Sequence, residues 1–420
     1  MGKKHMSGQR FIEAISHAYR WLPRAWRCRF MPGAEAAFAG IRRLVLIMSQ
    51  LRLRIFLLQG IERTGGRPMT VLVLGNRRSW PYLAEAIFSR LDANKESGGI
   101  FIWRVRRRLA SLATRPDMVI VHADGVYRPL FKKLGLAHLP EWVTFKFDLS
   151  RPSDRIWEDA KNKNLRENLR RVRKYGYSYE ITTDPVKFDA FYREMYLPYI
   201  PRKFGESAEL VGPRFMRLFF EGGLLLMVSK EGEDVSGSVI TTGDKGAKAM
   251  IIGVKEGSGD LIRKGALAAC YYFTVLWAKE RGYRSVDFGE CRPFFDDGLF
   301  YFKKRWGMTL EAYRHRSNIY GLWVGSPTPA ALDFLGANPF IIQGRKGLEG
   351  RVLAGSAHPL SLDGLKTILR SYLVPGLERL VVVSIPGFDF QAEKFGVDGC
   401  AGRVALIKGP AEALFSEWDK

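Results

Sequence analysis

Between Asp287 and Lys304 the chain carries four carboxylates, Asp287, Glu290, Asp296 and Asp297, followed by the lysine pair Lys303 and Lys304. A carboxylate beside a cation can do two jobs at a reacting carbonyl. The carboxylate takes a proton from the attacking group, while the cation stabilises the oxygen on which negative charge collects. Neither job needs a covalent enzyme intermediate, and no serine of the chain lies in a G-x-S-x-G turn. The six histidines include no H-E-x-x-H and no i, i+4 pair. Cys28, Cys270, Cys291 and Cys400 form no C-x-x-C, so neither a metal site nor a disulfide framework is expected, which fits a reducing compartment.

Those groups need elements to hold them. Residues 250–316 read in order as a strand (MIIGV), a Gly-rich turn and a long helix (ALAACYYFTVLWAKERG). A strand (YRSVDFG), a loop (ECRPFFDDG), a short helix (LFYFKKRWG) and a strand (TLEAYRHR) follow. Along VDFGE the period of two puts Asp287 and Gly289 on one face, and Glu290 falls just beyond the strand, where loop residues meet substrate. Glu290 or Asp287 is therefore the expected base, whereas Asp297-Gly298 also fits ordinary turn chemistry. Upstream, Leu165, Leu169 and Val172 mark the buried stripe of a helix, with Lys163, Arg166, Arg170 and Arg173 aligned on a neighbouring face. Four cations in a row suit phosphate groups; a solvated face is the alternative.

Three segments carry a resemblance to a known family: Lys163–Gly176 (KNLRENLRRVRKYG), Trp277–Gly289 (WAKERGYRSVDFG) and Gly298–Gly307 (GLFYFKKRWG). Their order and spacing resemble the GNAT superfamily, within it the Fem-type (FemAB-like) transferases of the peptidoglycan-bridge and exopolysaccharide-associated kind, over roughly residues 115–316. The resemblance implies an α/β (α+β) fold with a GNAT-like mixed, mostly antiparallel central sheet flanked by helices. It also implies an acyl- or aminoacyltransferase acting on an amine or hydroxyl of a cell-envelope, polysaccharide or lipid precursor, with acyl-CoA or aminoacyl-tRNA as donor. Lys303, four residues before Gly307, stands where many GNATs have a tyrosine acid; a lysine there resembles the Fem-type cation that stabilises the oxyanion of an ester-linked donor. The alternative is a surface lysine on an amphipathic helix with Phe302 and Trp306 inward. Acetyl-CoA-using members carry Q/R-x-x-G-x-G/A at a helix start, which holds the pyrophosphate. Here only Gly265 survives, flanked by Ile262 and Leu267, so the donor contacts implied are Arg263, Lys264, Gly265 and Ala266. Arg166, Arg170, Arg173, Gly289, Arg292 and Lys304 complete the candidate substrate contacts.

A chain of 420 residues exceeds one ordinary core, and 46% hydrophobic residues can bury a large one. Four segments are expected: a basic helical stretch over 1–62, a partial (degenerate GNAT-like) α/β unit over 63–150, the transferase domain over 151–322, and a small α/β appendage over 323–420. The turn Gly75-Asn76-Arg77-Arg78 after an apolar strand is a weak phosphate signal. The net charge is +23, and residues 1–140 hold 25 Lys and Arg against 8 Asp and Glu. Such a surface attracts polyanions, so tRNA or an anionic membrane is expected to meet residues 1–180. Glu13, Arg20 and Pro23 break the N-terminal apolar run, and Arg52 and Arg54 interrupt the window Leu44–Leu58. Neither a secretory signal nor a membrane span is expected, which suits a cytoplasmic protein, peripheral at the inner membrane face. Two other readings share these features. One is acyl-CoA-dependent N-acetyl transfer to a small amine; the other is a catalytically inactive scaffold that binds RNA or membrane.

Overall fold

The computed structural model describes residues 34–76, 80–111, 115–150, 163–205, 208, 210–243, 246–313, 318–324, 327–355, 362–384 and 403–415. Arg77 and Arg78 of the candidate phosphate turn lie outside them, as do Cys28, Cys400 and the N-terminal aromatics. The chain forms two compact units, one of described residues 34–139, 318–337 and 415, the other of 140–313 and 338–414. It has the mixed α/β character expected.

The first unit begins with helix α1 (Ala34–Ser49) and strand β1 (Arg52–Glu62). The helical stretch expected to reach residue 62 ends at Ser49. Phe56, Leu58, Gly60 and Glu62 are buried in the alternation of a strand, with Leu53 buried ahead of a register shift between Arg54 and Ile55. Strand β2 (Pro68–Gly75) pairs antiparallel with β1. Helix α2 (Pro81–Ile87) gives way to strand β3 (Phe88–Phe101), and helix α3 (Val105–Ala110) follows. Strand β4 (Met118–Asp124) is buried at every position, as befits a strand covered on both faces. Helix α4 (Arg128–Lys133) and strand β5 (Ala137–Pro140) follow.

The second unit opens with β6 (Val143–Asp148), helix α5 (Lys163–Lys174) and β7 (Ser178–Thr182). Leu165, Leu169 and Val172 are the buried stripe of α5, as their spacing predicts. Helix α6 (Pro185–Ala190) starts at Asp184, whose carboxylate accepts from Val186 N at 2.8 Å. After α7 (Leu197–Phe204) and α8 (Pro213–Glu221) come three antiparallel strands, β8 (Gly223–Lys230), β9 (Glu233–Gly243) and β10 (Gly246–Val254). Helices α9 (Gly259–Lys264) and α10 (Ala266–Glu280) cross over to β11 (Ser285–Cys291), which runs parallel to β10. Ten residues of α10 are buried, so it is a core helix with no wide polar face. Helix α11 (Gly298–Arg305) and β12 (Thr309–Ala312) follow. The order is β12-β6-β11-β10-β9-β8-β7, a mixed sheet whose pairs are antiparallel except β10 with β11.

The chain then returns to the first unit. Strand β13 (Asn318–Trp323) pairs antiparallel with β4, giving the order β3-β1-β2-β4-β13-β5, and α12 (Pro329–Ala337) follows. Strands β14 (Phe340–Gln343) and β15 (Leu348–Ala354), helix α13 (Leu362–Tyr372), and strands β16 (Arg379–Ser384) and β17 (Val404–Lys408) belong to the second unit. Residues 323–420, expected as one appendage, are thus divided between the units. The physical reason is a shared core: Ile341, Leu348, Val352, Ile368 and Leu380 cluster with Phe295, Phe300 and Leu310. Among the described residues no helix is long and apolar enough to cross a membrane.

Candidate active site

Strands β10 and β11 pair at only three positions: Gly246↔Ser285, Ala247↔Val286 and Lys248↔Asp287. Beyond that rung β10 follows β9 through a register shift between Ala249 and Ile251, while β11 pairs with β6 after a shift between Asp287 and Glu290. Bulges bend the strands that carry them, and here both neighbours are bent where their pairing ends. Gly289 lies in the second bulge at φ +76°, a conformation that an L side chain rarely adopts. The parallel pair therefore parts at its carboxyl end.

Charged groups gather at that parting. Asp287 Oδ1 accepts from Gly289 N at 2.7 Å and from the Thr144 hydroxyl at 2.8 Å. Lys248 Nζ stands 3.5 Å from Glu290 Oε1 and 4.0 Å from Asp287 Oδ2, and 5.2 Å from the centre of the Tyr313 ring. Glu290 is the more accessible carboxylate, its side chain 29% exposed against 19% for Asp287. Behind them Lys303 is 1% exposed, and its ammonium donates to Gly289 O and Glu290 O, each at 2.9 Å. The alternative of a surface lysine is excluded, and Trp306 packs inward with it. Burial holds the Lys303 ammonium below the usual lysine range, with the Glu290, Asp287 and Asp297 charges opposing that shift. Cys291 is itself buried, its thiol pushed up to about 12 by desolvation.

The other candidates divide. Arg292 reaches within 3.8 Å of the Trp142 ring centre and 3.8 Å of Glu141 Oε1, so it braces the segment before β6. Lys304 donates to Ser371 O near the end of α13, and burial lowers its pKa. Gly265, at φ +102°, joins α9 to α10, and a side chain there would meet Arg171 Cβ at 3.2 Å. Helices α5 and α10 pack together at this point. Ser236 pairs with Val254 and its hydroxyl donates to Ala266 O at 3.0 Å. The start of α10 thus lies at the same end of β10 as the parting. Arg263 and Lys264 both reach Asp260, at 3.5 and 2.6 Å. Arg170 and Arg171 share Glu167, whose carboxyl they hold down at about 2. Arg166, Arg170 and Arg173 lie on the exposed face of α5.

Sequence reasoning missed Lys248, Thr144, Tyr313 and Arg171. Lys248 had a signal, a lone cation inside an apolar strand; the Thr144 position depends on a pairing between segments distant in sequence. Among the described residues no cluster of His, Cys, Asp and Glu is arranged to hold a metal.

No protein-family model matches the chain, and no curated protein matches it. Solved structures give weak likenesses. L-PGS from Bacillus licheniformis is 15% identical with a TM-score of 0.34, over 69% of this chain and 90% of that one. FemX is 12% identical with a TM-score of 0.34, over 63% of this chain and 88% of its own. A GCN5-related N-acetyltransferase from Kribbella flavida is 12% identical with a TM-score of 0.28, over 76% and 70%. At these values the likeness assigns no substrate and no residue role.

Proposed function

We propose that the second unit is a GNAT-like acyltransferase that moves an acyl or aminoacyl group onto an amine or hydroxyl of an envelope, polysaccharide or lipid precursor. The observation that carries this reading is the parallel pair β10 and β11, which opens beyond Lys248 and Asp287 with Glu290 and Lys303 at the opening. Backbone groups along the parted strands are directed at whatever enters between them, and an acyl carbonyl needs such donors. In this reading Glu290 takes the proton of the attacking amine or hydroxyl. Lys248 and Asp287 orient it, Asp287 being engaged by Thr144 and the Gly289 amide. Lys303 holds the Gly289–Glu290 turn through two carbonyls and brings positive charge under the developing oxyanion. Attack forms the new C–N or C–O bond, the thioester or ester bond breaks, and the pair leaves with the thiolate or ribose oxygen, which takes a proton from solvent or from the base.

The donor is the open half of the reading. Arg263, Lys264, Gly265 and Ala266 frame the start of α10, where helix amides and cations suit the phosphates of either CoA or tRNA. Melting-temperature shifts across CoA, acyl-CoAs and aminoacyl-tRNAs, followed by mass spectrometry of the products, test it. Stabilisation and turnover with an acyl-CoA fix a thioester donor; with aminoacyl-tRNA alone they fix an ester donor. No stabilisation and no transfer with either would replace the enzyme by a binding scaffold.

A further inference from the structure

Seven of the thirteen large apolar side chains exposed among the described residues come from three short segments of the first unit. They are Ile41, Leu44, Leu46 and Met48 on α1, Phe101 and Trp103 at the end of β3, and Val126. The fold brings these segments together. Ile102 N donates to Leu51 O at 2.9 Å, and Arg52 pairs with Phe101. Tyr127, next to Val126, donates its hydroxyl to Ile47 O at 2.9 Å, and Asp124 N donates to Gln50 Oε1 at 2.6 Å. The carboxyl end of α1 is therefore anchored on one side. Ile41, Leu44 and Met48, spaced i, i+3 and i+7, form one face, each more than half exposed.

The charged residues of the helix and strand-end segments are arginines. Ile41–Arg54 contains four arginines and no carboxylate, and Phe101–Ser111 contains four more and none. Arg43 and Arg54 reach Asp124 and Glu96, whereas Arg104, Arg106, Arg107 and Arg108 are exposed. Phe101 and Trp103 stack at 4.8 Å, and the Arg104 guanidinium is 5.9 Å from the centre of the Phe101 ring. Stacked aromatics, an apolar helix face and a rim of guanidinium groups match the depth profile of a bilayer boundary: acyl chains, then interface, then phosphates.

We propose that this face docks the first unit onto a membrane surface rich in anionic lipid. A polyanion such as RNA would use the arginines but gains nothing from Ile41, Leu44, Leu46 and Met48. A second copy of the chain would set one arginine rim against another. The docking face is independent of the activity assigned to the second unit, and its test needs no turnover.

The test is co-sedimentation of the full chain with phosphatidylcholine vesicles, with and without phosphatidylglycerol. The expected result is partition at least about tenfold stronger onto the anionic vesicles, weakened by salt. Leu44→Asp with Met48→Asp, both at exposed positions, should lower it about tenfold with the melting temperature unchanged. Arg106→Glu with Arg107→Glu and Arg108→Glu should abolish the preference for phosphatidylglycerol. Absence of vesicle binding, or binding indifferent to the Leu44 and Met48 changes, overturns the proposal. So does self-association of the wild type that those two changes abolish, or RNA binding in place of vesicle binding.

Discussion

The larger sheet of each unit contains a parallel strand pair, β2 with β4 in the first and β10 with β11 in the second, and these are built differently. In the first unit β2 and β4 pair from Val71↔Met118 to Leu74↔Val121, to within one residue of the end of β2. Every side chain on those rungs is apolar and buried. In the second unit the pairing of β10 and β11 stops at Lys248↔Asp287, six residues before β10 ends. The difference lies in the residues at the rungs. Val73 and Leu74, against Ile120 and Val121, would expose apolar surface if they separated, so the pair stays closed. A lysine opposite an aspartate gives no such penalty, and the Gly289 bulge turns β11 away toward β6. The same motif is a core in one unit and an opening in the other.

The sharpest way to break this contrast is at Glu290. Glu290→Gln keeps shape and removes the proposed base, so transfer should fall roughly 100- to 1,000-fold, in the range of lost general-base catalysis. Full retention of kcat would take the opening out of the mechanism. In the closed pair, Leu74→Ala should cost about 2–5 kcal/mol of stability by leaving a cavity. Its kcat per folded molecule should be unchanged, measured beside denaturant unfolding; a lost kcat with intact stability would show that the first unit also does chemistry.

Lys303 sharpens the comparison through pH. Its folded pKa is lowered, so in the alkaline range below the ordinary lysine value of 10.5 the unfolded chain binds more protons than the folded one. That group therefore makes stability rise as pH climbs through its folded value toward 10.5. Wild type should gain stability relative to Lys303→Met over that climb, read from urea midpoints at stepped pH. A difference that is flat with pH would mean that the lysine keeps its ordinary pKa in the fold. The smallest effect concerns Cys270 and Cys291, whose buried thiols are pushed up to about 12 from the ordinary 9. Above pH 9 the unfolded chain loses these protons first, so they lower stability as pH rises, and neither should react with a maleimide before unfolding.

Much of the second unit was legible in the sequence. The buried stripe Leu165, Leu169 and Val172, the cap at Asp184 and the strand-helix-strand order around Asp287 all rest on local patterns. Local patterns also misled: Leu44–Leu58 fits a helical period as far as Ser49, and beyond it the pairing of Arg52–Glu62 with β2 and β3 decides. The return of Asn318–Trp323 to β4 and the common core under β14 to β16 are long-range choices that no window of sequence contains. At the site, Asp287, Glu290 and Lys303 were visible as residue types. The approach of Lys248 and Thr144 follows from strand order, and the burial of Lys303 from the packing of α11 against β11; Lys304 and Arg292, equally plausible in sequence, prove to be engaged elsewhere.

The most direct test of the central claim is a single-turnover transfer assay, with whichever of the acyl-CoA and aminoacyl-tRNA donors stabilises the protein, run on wild type and Glu290→Gln side by side. The account predicts transfer by wild type and a rate at least about 100-fold lower in the variant, with donor binding retained. Equal rates in the two proteins, or donor binding with no transfer by either, would contradict it.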